Sequence, residues 1–549
     1  MRDAGQRESP TRAASRGRAG SWFVPAAAVS ALFLVAVEAR RFLSDDAFIS
    51  FRYARNLVDG LGLVWNPGEA VEGYTNFLWV LIVAGGMALG AAPERLTLQL
   101  GLVAGALILL LLARLDAARF GPDDPRTFAV ALVLAVHPSF TGWCSSGLET
   151  QFFALLALAG LLQCAREDEA REPWPWRSSA VLAAATLTRP DGAVFMVSAG
   201  LVVLAAVARR RRSLRSALLW ALPFVAAVGG HMLWRLRYYG YPLPNTFYAK
   251  VTGFSWERST AYFDVFLADY SFLWFAPLAV VGLACRRSTR AALFAISSAL
   301  YLAYVFYVGG DFLEFRFLVP VYAGVYWLVV HGIHGVAELV DRRAGARGLG
   351  GGVAFVLYAA LLSATASATA TDLQDSRGGG ETITATRRYA IQRAEQGRLL
   401  RRWLASGLLP SDLRIETGAA GALPYYAGVY TFDLRGLNDV EVAHGPVNDL
   451  HRVGHDREAT LRMTQARQID AVLLGHVIIV EGAPRIRREA RRQARQWLRH
   501  YNAEADDPAL ELRLRCLQLD DATIMVFGSN LPPARYAARF GHLPTCPGA

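Results

Sequence analysis

The feature that most constrains this chain is a series of apolar blocks separated by short polar segments. The blocks lie at 22–37, 77–89, 96–112, 128–136, 152–162, 180–187, 193–208, 217–234, 272–285, 291–308, 317–336 and 353–370. Several reach the roughly 17–25 residues that a helix needs to cross a bilayer. Because backbone polar groups in lipid must be bonded within the segment, the pattern predicts a polytopic α-helical membrane protein. We expect about eleven spans, with the short block at 128–136 half-spanning or interfacial.

The charge distribution predicts how these helices are oriented. The chain has a net charge of +11, and its arginine-rich runs at 209–212, 286–290 and 342–347 lie between apolar blocks. Such loops mark the cytoplasmic side of a membrane protein rather than a nucleic-acid surface. The arginine-rich residues 1–20 are also predicted to be cytoplasmic; a cleaved signal peptide is the alternative interpretation of residues 1–39. Under either interpretation the first loop, 40–76, lies outside the cytoplasm.

The composition changes near residue 371, where the long apolar blocks end. A helix is predicted at 387–404 and strands at 413–416, 429–434, 471–474 and 523–527, from short apolar runs between turn residues. The five cysteines lack CxxC spacing, which gives no support for a metal or haem framework. Cys516 and Cys546 could pair if the tail is extracytoplasmic. The predicted domains are a cytoplasmic segment 1–20, a transmembrane domain 21–371 and an extracytoplasmic α/β domain 372–549.

Two adjacent aspartates, Asp45 and Asp46, directly follow the first apolar block. The next segment carries large apolar residues on one side and Arg52 and Arg55 on the other, which is typical of a helix in the membrane interface. One interpretation is that the aspartates cap this helix. The other is catalytic, because a carboxylate beside the membrane can deprotonate a hydroxyl or hold a divalent cation that does so. We predict Asp45 and Asp46 as catalytic and leave a role for Mg²⁺ or Mn²⁺ open.

The other predicted outer segments combine carboxylates, amides or cations with aromatic residues, whereas the inner loops carry mainly arginine. Each residue alone has an ordinary explanation as a helix cap, a turn or a membrane-interface anchor. Together they place function on the outer face. A lipid-phosphate leaving group needs positive charge rather than a proton, and arginine offers bidentate contact. The predicted donor-phosphate ligands are Arg52, Arg189, Arg237, Lys250 and Arg316, and the predicted substrate-binding residues are Glu72, Tyr74, Asn76, Glu149, Asn245, Tyr248 and Asp311.

Several of these segments resemble the GT-C superfamily of membrane glycosyltransferases. Within it, they are most similar to the mycobacterial terminal β-(1→2)-arabinofuranosyltransferase family and its bacterial relatives. The resemblance covers most of residues 40–320 and is most specific in the first loop. It is carried by residues 45–60, 66–69, 71–79, 146–150, 188–192, 244–250 and 309–311, and in the tail by 417–426 and 433–439. It implies a GT-C catalytic domain at 21–371 in a multi-pass protein of the bacterial inner membrane.

The resemblance also implies an inverting glycosyltransferase that uses a polyprenyl-phosphate sugar. For that family the donor is decaprenyl-phosphate arabinofuranose, the acceptor is an arabinan end, and Asp45 and Asp46 match the catalytic carboxylates. We therefore expect this chain to transfer arabinofuranose or a related pentose to a glycan or glycolipid of the cell envelope. The expected partners are these substrates and membrane lipid, without nucleic acid.

Two other classes of function stay open at this level. A transporter or flippase of a lipid-linked sugar would show paired broken helices, and the sequence has one clear break, at 189–192. A scaffold or sensor would use the exported tail for binding but would leave the charged first loop without a purpose. The glycine-rich turn at 418–421 lacks the spacing of a nucleotide site, so we expect the tail to handle the acceptor.

Overall fold

The computed structural model contains a long helical part followed by a smaller part built on a β-sheet. It describes residues 22–172, 174–251, 253–345, 348–371, 376–377, 380–447, 456–475, 479–503 and 505–546. The predicted cytoplasmic segment 1–20 lies outside these residues. We refer to residues 22–371 as the helical region and to residues 380–546 as the sheet region.

The helices of the helical region follow the apolar blocks of the sequence. They are α1 Phe23–Ala39, α2 Ala47–Val58, α3 Phe77–Ala88, α4 Pro93–Phe120, α5 Ala129–Val136, α6 Pro138–Gly142, α7 Thr150–Glu169, α8 Arg177–Thr188, α9 Gly192–Ala208, α10 Leu214–Tyr239, α11 Asn245–Lys250, α12 Trp256–Asp269, α13 Ala276–Cys285, α14 Thr289–Val308, α15 Val319–Ala344 and α16 Leu349–Thr371. Ser213 and Ser288 cap α10 and α14 by accepting the backbone N–H three residues further on, as expected for serine at an N-cap.

Among the described residues, five helices are long and apolar enough to cross a membrane. A sixth span results if Trp256–Asp269 and Phe272–Cys285, which meet at an angle of 75°, are counted together. Shorter apolar helices lie at Phe23–Ala39, Phe77–Ala88, Pro125–Val136 and Gly192–Ala208. These helices confirm the predicted polytopic helical membrane protein, whereas the count of about eleven spans stays a prediction.

Helix α15 lies at the centre of the helical region and packs closely against α13. A Cβ added at Gly332 would lie 1.9 Å from the carbonyl oxygen of Leu278, and one at Gly282 would lie 2.0 Å from that of Leu328. Glycine at both positions lets the two backbones approach, as small residues do between membrane helices. The contact fixes the middle of α15 against α13.

Helix α2 occupies the predicted first loop between α1 and α3, and the predicted position of this helix in the membrane interface stays a prediction. Most of its side chains are buried, including Arg52. The ring of Phe48 lies 5.4 Å from that of Tyr425 and 5.3 Å from that of Tyr426. The sheet region thus covers part of α2, through contacts between residues more than 300 positions apart in sequence.

The sheet region contains a mixed six-stranded sheet with helices around it. Its elements after β1 Ser376–Arg377 are β2 Gly380–Glu381, α17 Ile383–Ala405, β3 Arg414–Thr417, α18 Ala422–Ala427, β4 Tyr430–Asp433, α19 Val440–Ala443, α20 Leu461–Ala466, β5 Ala471–Val472, β6 Ile479–Glu481, α21 Pro484–Ala503, β7 Arg513–Gln518, β8 Thr523–Ser529 and α22 Pro533–Phe540. The strand order is β4-β3-β5-β8-β6, and β7 also pairs with β8. Strands β4 and β5 run parallel to β3, and the pairs with β8 are antiparallel.

The tail predictions match this sheet region closely. The predicted helix at 387–404 lies within α17, and the predicted strands overlap β3, β4, β5 and β8. Cys516 and Cys546 form a disulfide, which is the pairing that the sequence left open.

Candidate active site

Two cavities meet at the start of α2. The helical cavity, of about 300 Å³, is lined mainly by residues of the helical region. The interface cavity, of about 500 Å³, lies between the helical region and the sheet region. Asp46, Ile49, Lys250, Phe312 and Leu437 line both cavities. A molecule in one cavity can therefore reach a molecule in the other at this point.

Asp46 is the one described carboxylate that lines both cavities. It stands at the N-cap position of α2, but its side chain makes no capping hydrogen bond. The side chain is 31% exposed, and its Oδ2 lies 3.9 Å from Nη1 of Arg316. The structure thus does not support the simple capping interpretation, and it leaves the carboxylate available to accept a proton.

Asp45 has a different environment from its neighbour. Its side chain is buried, and its Oδ1 accepts a hydrogen bond of 2.9 Å from the backbone N–H of Ala422 in the sheet region. A Cβ at Gly421 would lie 2.0 Å from the carbonyl oxygen of Asp45, so only glycine fits there. Asp45 therefore connects the first loop to the sheet region.

Burial raises the pKa of Asp45 from 3.8 to about 6, although the Ala422 N–H acts in the opposite direction. The folded state then binds more protons than the unfolded state between these two values. The contribution of this carboxyl group to the free energy of unfolding is complete below pH 4. It falls by roughly 3 kcal/mol as the pH rises from 4 to 6.

Asp45→Asn should remove this dependence, because asparagine keeps an acceptor oxygen for Ala422 without a charge to desolvate. The variant should match the wild type below pH 4 and exceed its free energy of unfolding by roughly 3 kcal/mol at pH 7. Unfolding of both detergent-solubilised proteins across this range measures the difference. A difference that does not change with pH would contradict the burial argument.

Glu149 and Asp191 line the helical cavity and share Arg189. They occupy the N-cap positions of α7 and α9 without making capping hydrogen bonds. Arg189 lies 3.0 Å from a carboxylate oxygen of each. Asn76 donates a hydrogen bond of 2.8 Å to Glu149, and the hydroxyl of Tyr301 donates one of 2.6 Å to Asp191. The negative charges of two carboxylates compensate the positive charge of one guanidinium, so Arg189 offers little net positive charge to a phosphate. We therefore revise its predicted role from binding the phosphate to positioning the two carboxylates.

Lys250 is the cation best placed to bind an anion beside Asp46, and Arg316, which Asp311 and Asp46 partly compensate, lies in the same cavity. Nη2 of Arg316 lies 2.8 Å from Oδ2 of Asp311, and its guanidinium lies 5.4 Å from the centre of the Phe317 ring. Lys250 lines both cavities. Within the described residues its ammonium group has no hydrogen bond or ion pair, so its charge is the least compensated at the junction.

The structure brings most of the sequence-predicted site residues together. Those that line a cavity are Asp45, Asp46, Tyr74, Asn76, Glu149, Arg189, Lys250, Asp311 and Arg316. Those that line neither are Arg52, Glu72, Arg237, Asn245 and Tyr248. The residues that line neither cavity are not placed to contact a substrate, which differs from the prediction.

Arg52 does not face a phosphate site because its guanidinium is already occupied. It donates to the carbonyl oxygens of Trp65 at 2.7 Å, Pro424 at 3.0 Å and Val429 at 2.8 Å. It also donates to Oδ1 of Asn66 at 3.0 Å. Two of these acceptors belong to the sheet region, so Arg52 joins the two parts of the protein.

Glu72 and Asn245 are also structural rather than substrate-facing. Glu72 forms a bidentate ion pair with Arg235, with distances of 2.7 and 3.1 Å. The side-chain amide of Asn245 donates to the carbonyl oxygens of Gly436 and Leu437 in the sheet region.

Tyr248 and Arg237 are the remaining predicted site residues that line neither cavity. The ring of Tyr248 lies 4.4 Å from that of His444 in the sheet region. Arg237 is exposed, on a part of α10 that borders neither cavity. The sequence could not separate Arg237 from Arg235, because both follow the same apolar block.

The sheet region supplies cavity residues that the sequence analysis did not name. The polar and aromatic ones are Glu381, Thr386, Arg388, Tyr389 and Gln392, then Arg435, and Trp497 and Tyr501 of α21. The spacing of four residues from Arg388 to Gln392 and from Trp497 to Tyr501 places each pair on one helix face. That spacing was a usable signal in α17, whose helix was predicted, whereas α21 was not predicted.

The described residues contain no group of three or more His, Cys, Asp and Glu side chains that could hold a metal ion. At the junction itself, the Asp45 carboxylate accepts from a backbone N–H and Asp46 lies beside Arg316. A hard divalent cation prefers several oxygen ligands. This donor set does not fit Mg²⁺ or Mn²⁺.

The chain is similar in sequence to two curated proteins, both named terminal beta-(1->2)-arabinofuranosyltransferase. That of Mycobacterium tuberculosis is 30% identical in an alignment of 288 residues that covers 49% of this chain and 45% of the relative. That of Corynebacterium glutamicum is 29% identical over 380 residues, covering 57% and 52%. This chain therefore spans about half the length of the curated relatives that it matches. Residues 385–518 match a family model described as a domain of unknown function, DUF8728.

Among solved structures, the chain is similar to ArnT from Cupriavidus metallidurans bound to undecaprenyl phosphate. The TM-score is 0.51 at 14% identity, over 76% of this chain and 86% of ArnT. The apo state of ArnT gives a TM-score of 0.50 at 14% identity, over 75% and 85%. At this identity the similarity concerns the fold alone. The two comparisons together confirm the resemblance that the sequence motifs predicted.

Proposed function

We propose that this chain is a membrane glycosyltransferase. It transfers a sugar, arabinofuranose or a related pentose, from a polyprenyl-phosphate donor to a glycan or glycolipid of the cell envelope. The observation that carries this proposal is the meeting of two cavities at one uncapped carboxylate, Asp46, with Lys250 and Arg316 beside it. The similarity to named arabinofuranosyltransferases supports the reaction class.

In this proposal the helical cavity holds the donor. Lys250 and Arg316 provide positive charge for the phosphate, and Phe247, Phe312 and Phe317 give the cavity apolar walls. Glu149 and Asp191, held by Arg189, provide carboxylate oxygens that suit the sugar hydroxyls. ArnT is described as binding undecaprenyl phosphate, which is a lipid phosphate of the proposed donor class.

The interface cavity holds the acceptor. Its wall in the sheet region contains the aromatic residues Tyr389, Trp497 and Tyr501 together with Arg388 and Arg435. Aromatic rings with a polar edge suit the mixed apolar and polar faces of a sugar. The sheet region thus closes one side of the site, and this explains why Asp45 and Arg52 anchor it to the first loop.

The reaction follows from this placement. Asp46 takes the proton of an acceptor hydroxyl, which is otherwise a weak nucleophile. The acceptor oxygen forms a bond to the anomeric carbon of the donor while the bond from that carbon to the phosphate oxygen breaks. The departing polyprenyl phosphate keeps the electron pair, and Lys250 and Arg316 stabilise the negative charge it gains. One displacement with one base inverts the anomeric carbon.

We further propose that the protein lies in the bacterial inner membrane with about eleven spans. The first loop and the sheet region then lie on the extracytoplasmic side. The arginine-rich loops at 209–212 and 286–290 favour this orientation by the positive-inside rule. The disulfide between Cys516 and Cys546 is consistent with an oxidising compartment for the sheet region.

Lys250→Gln tests the donor assignment. Loss of the least compensated cation at the junction should raise the KM for the polyprenyl-phosphate sugar by roughly tenfold to a hundredfold, since a hydrogen bond to a charged group contributes about 1.5–3 kcal/mol. Steady-state transfer assays with the donor varied measure this. Arg237→Gln removes an equal charge outside both cavities and should leave the KM unchanged; equal effects in the two variants would contradict the assignment.

A transfer assay in proteoliposomes tests the function itself. The wild type should release polyprenyl phosphate and elongate a glycan acceptor. A flippase of lipid-linked sugar would instead move the donor across the bilayer without forming a product. Flux without transfer would overturn the proposal.

A further inference from the structure

Within the described part of the sheet region, one face of α21 carries a row of exposed arginines. The helix sequence PRIRREARRQARQWLRHYNA contains seven arginines and one glutamate. Residues Arg485, Arg488, Arg492, Arg495 and Arg499 recur at intervals of three and four, which places them on one side of the helix. We call them the arginine stripe. With a rise of about 1.5 Å per residue, the stripe is about 21 Å long with a guanidinium near every turn.

The arginine side chains of the stripe are exposed, and most of their positive charges have no negative partner among the described residues. All five side chains are exposed, and Arg492 pairs with Glu489 at 2.7 Å. The other four make no hydrogen bond or ion pair with any other described residue. Like charges on neighbouring turns repel one another. A partner with regularly repeated negative charges would relieve this repulsion along the whole stripe, whereas a single phosphate would neutralise only one end.

The opposite face of α21 leads to the candidate active site. Ala490 and Ala494 are buried against the sheet, and Trp497 and Tyr501 line the interface cavity. Arg499 lies between these two aromatic residues in sequence, so the stripe ends at the same level of the helix as the cavity wall. A polymer with its end in the cavity can reach the stripe by passing around the C-terminal part of α21, a helix about 10 Å in diameter.

We propose that the arginine stripe binds the polymeric part of the acceptor, and that this acceptor is a linear glycan with repeated carboxylate or phosphate groups. The inference rests on the proposed function, because it assigns the substrate class of the same site. A membrane surface is the less suitable partner. Helices that bind a membrane interface expose an apolar face. Helix α21 instead buries its apolar face within the sheet region, and Ile486 is an exposed large apolar side chain on it.

Binding to defined polymers tests this inference on the full chain in detergent. The probes are polygalacturonate for carboxylate, poly(glycerol phosphate) for phosphate and dextran as the neutral polymer. The wild type should bind one or both anionic polymers but not dextran. Binding should weaken between 0.1 M and 1 M salt, where the Debye length falls from about 10 Å to about 3 Å.

Two triple variants with the same loss of charge separate the stripe from general basicity. Arg488→Gln, Arg495→Gln and Arg499→Gln together should weaken binding of the anionic polymer by roughly tenfold or more. Arg387→Gln, Arg401→Gln and Arg513→Gln remove three exposed arginines elsewhere in the sheet region and should leave the affinity unchanged.

Three results would overturn the inference. They are equal losses in both triple variants, equal binding of dextran, and stripe-dependent binding to phosphatidylglycerol vesicles without polymer binding. The assay does not require turnover, so it is separable from the proposed function. Failure of the transfer assay with intact polymer binding would overturn the glycosyltransferase proposal and leave the polymer site standing.

Discussion

Replacing Asp46 with asparagine is expected to lower the turnover number by about 10²–10⁴-fold, the usual contribution of a positioned general base. Asparagine has the size of aspartate and can still accept a hydrogen bond, but it cannot take the proton of the acceptor hydroxyl. The KM for the donor should change little, because Lys250 and Arg316 are the proposed phosphate contacts. Initial rates of transfer at saturating donor and acceptor measure the effect.

Asp45→Asn is the matched control for this prediction. The two aspartates are adjacent, but Asp45 is buried and accepts the N–H of Ala422, whereas Asp46 faces both cavities. The Asp45 variant should therefore keep most of its turnover while its stability loses its pH dependence. A large loss of turnover in Asp45→Asn with normal turnover in Asp46→Asn would show that the base is assigned to the wrong residue.

Replacing Arg52 with glutamine is expected to reduce the free energy of unfolding by about 3 kcal/mol, because each buried acceptor left without a donor costs about 1–3 kcal/mol. The guanidinium serves four acceptors, two of them in the sheet region, and glutamine can reach one or two. Thermal unfolding in detergent measures the loss. Limited proteolysis near residue 380 should show that the sheet region separates more readily from α2.

Arg55→Gln provides the comparison on the same helix. Its guanidinium lies 4.4 Å from the centre of the Tyr425 ring, and a partly exposed cation–π contact contributes about 0.5–1 kcal/mol. The Arg55 variant should be destabilised far less than the Arg52 variant. Similar losses in both would contradict the role of Arg52 as the hydrogen-bonded link between the two regions.

The helices could be predicted from the sequence because the apolar blocks that form them are local. The contacts of α2 with the sheet region were not predicted, because Arg52 and Phe48 meet residues there that are more than 300 positions away in the chain. In the sheet, β7 was not predicted because the strands were sought as short continuous apolar runs, although the alternation of arginine with apolar residues at 513–516 is typical of a half-buried strand. Strand β6 has only three residues, too few to show a period.

The types of residue in the candidate site could be predicted from the sequence, but the partners that each side chain contacts could not. Asp46, Glu149 and Asp191 all precede helices, and a sequence cannot show whether such a carboxylate caps the helix or turns into a cavity. Arg189 and Lys250 looked equivalent as phosphate ligands. They differ because two carboxylates converge on Arg189, and one of them, Glu149, lies 40 residues away in the chain.

A structure of the protein with a bound polyprenyl-phosphate sugar tests the central claim most directly. The account predicts density for the phosphate in the helical cavity, within hydrogen-bond reach of Lys250 or Arg316, with the anomeric carbon facing Asp46. It also predicts that the interface cavity stays open to an acceptor on the other side of that carboxylate. A phosphate bound outside the helical cavity, or a sugar that does not approach Asp46, would contradict it.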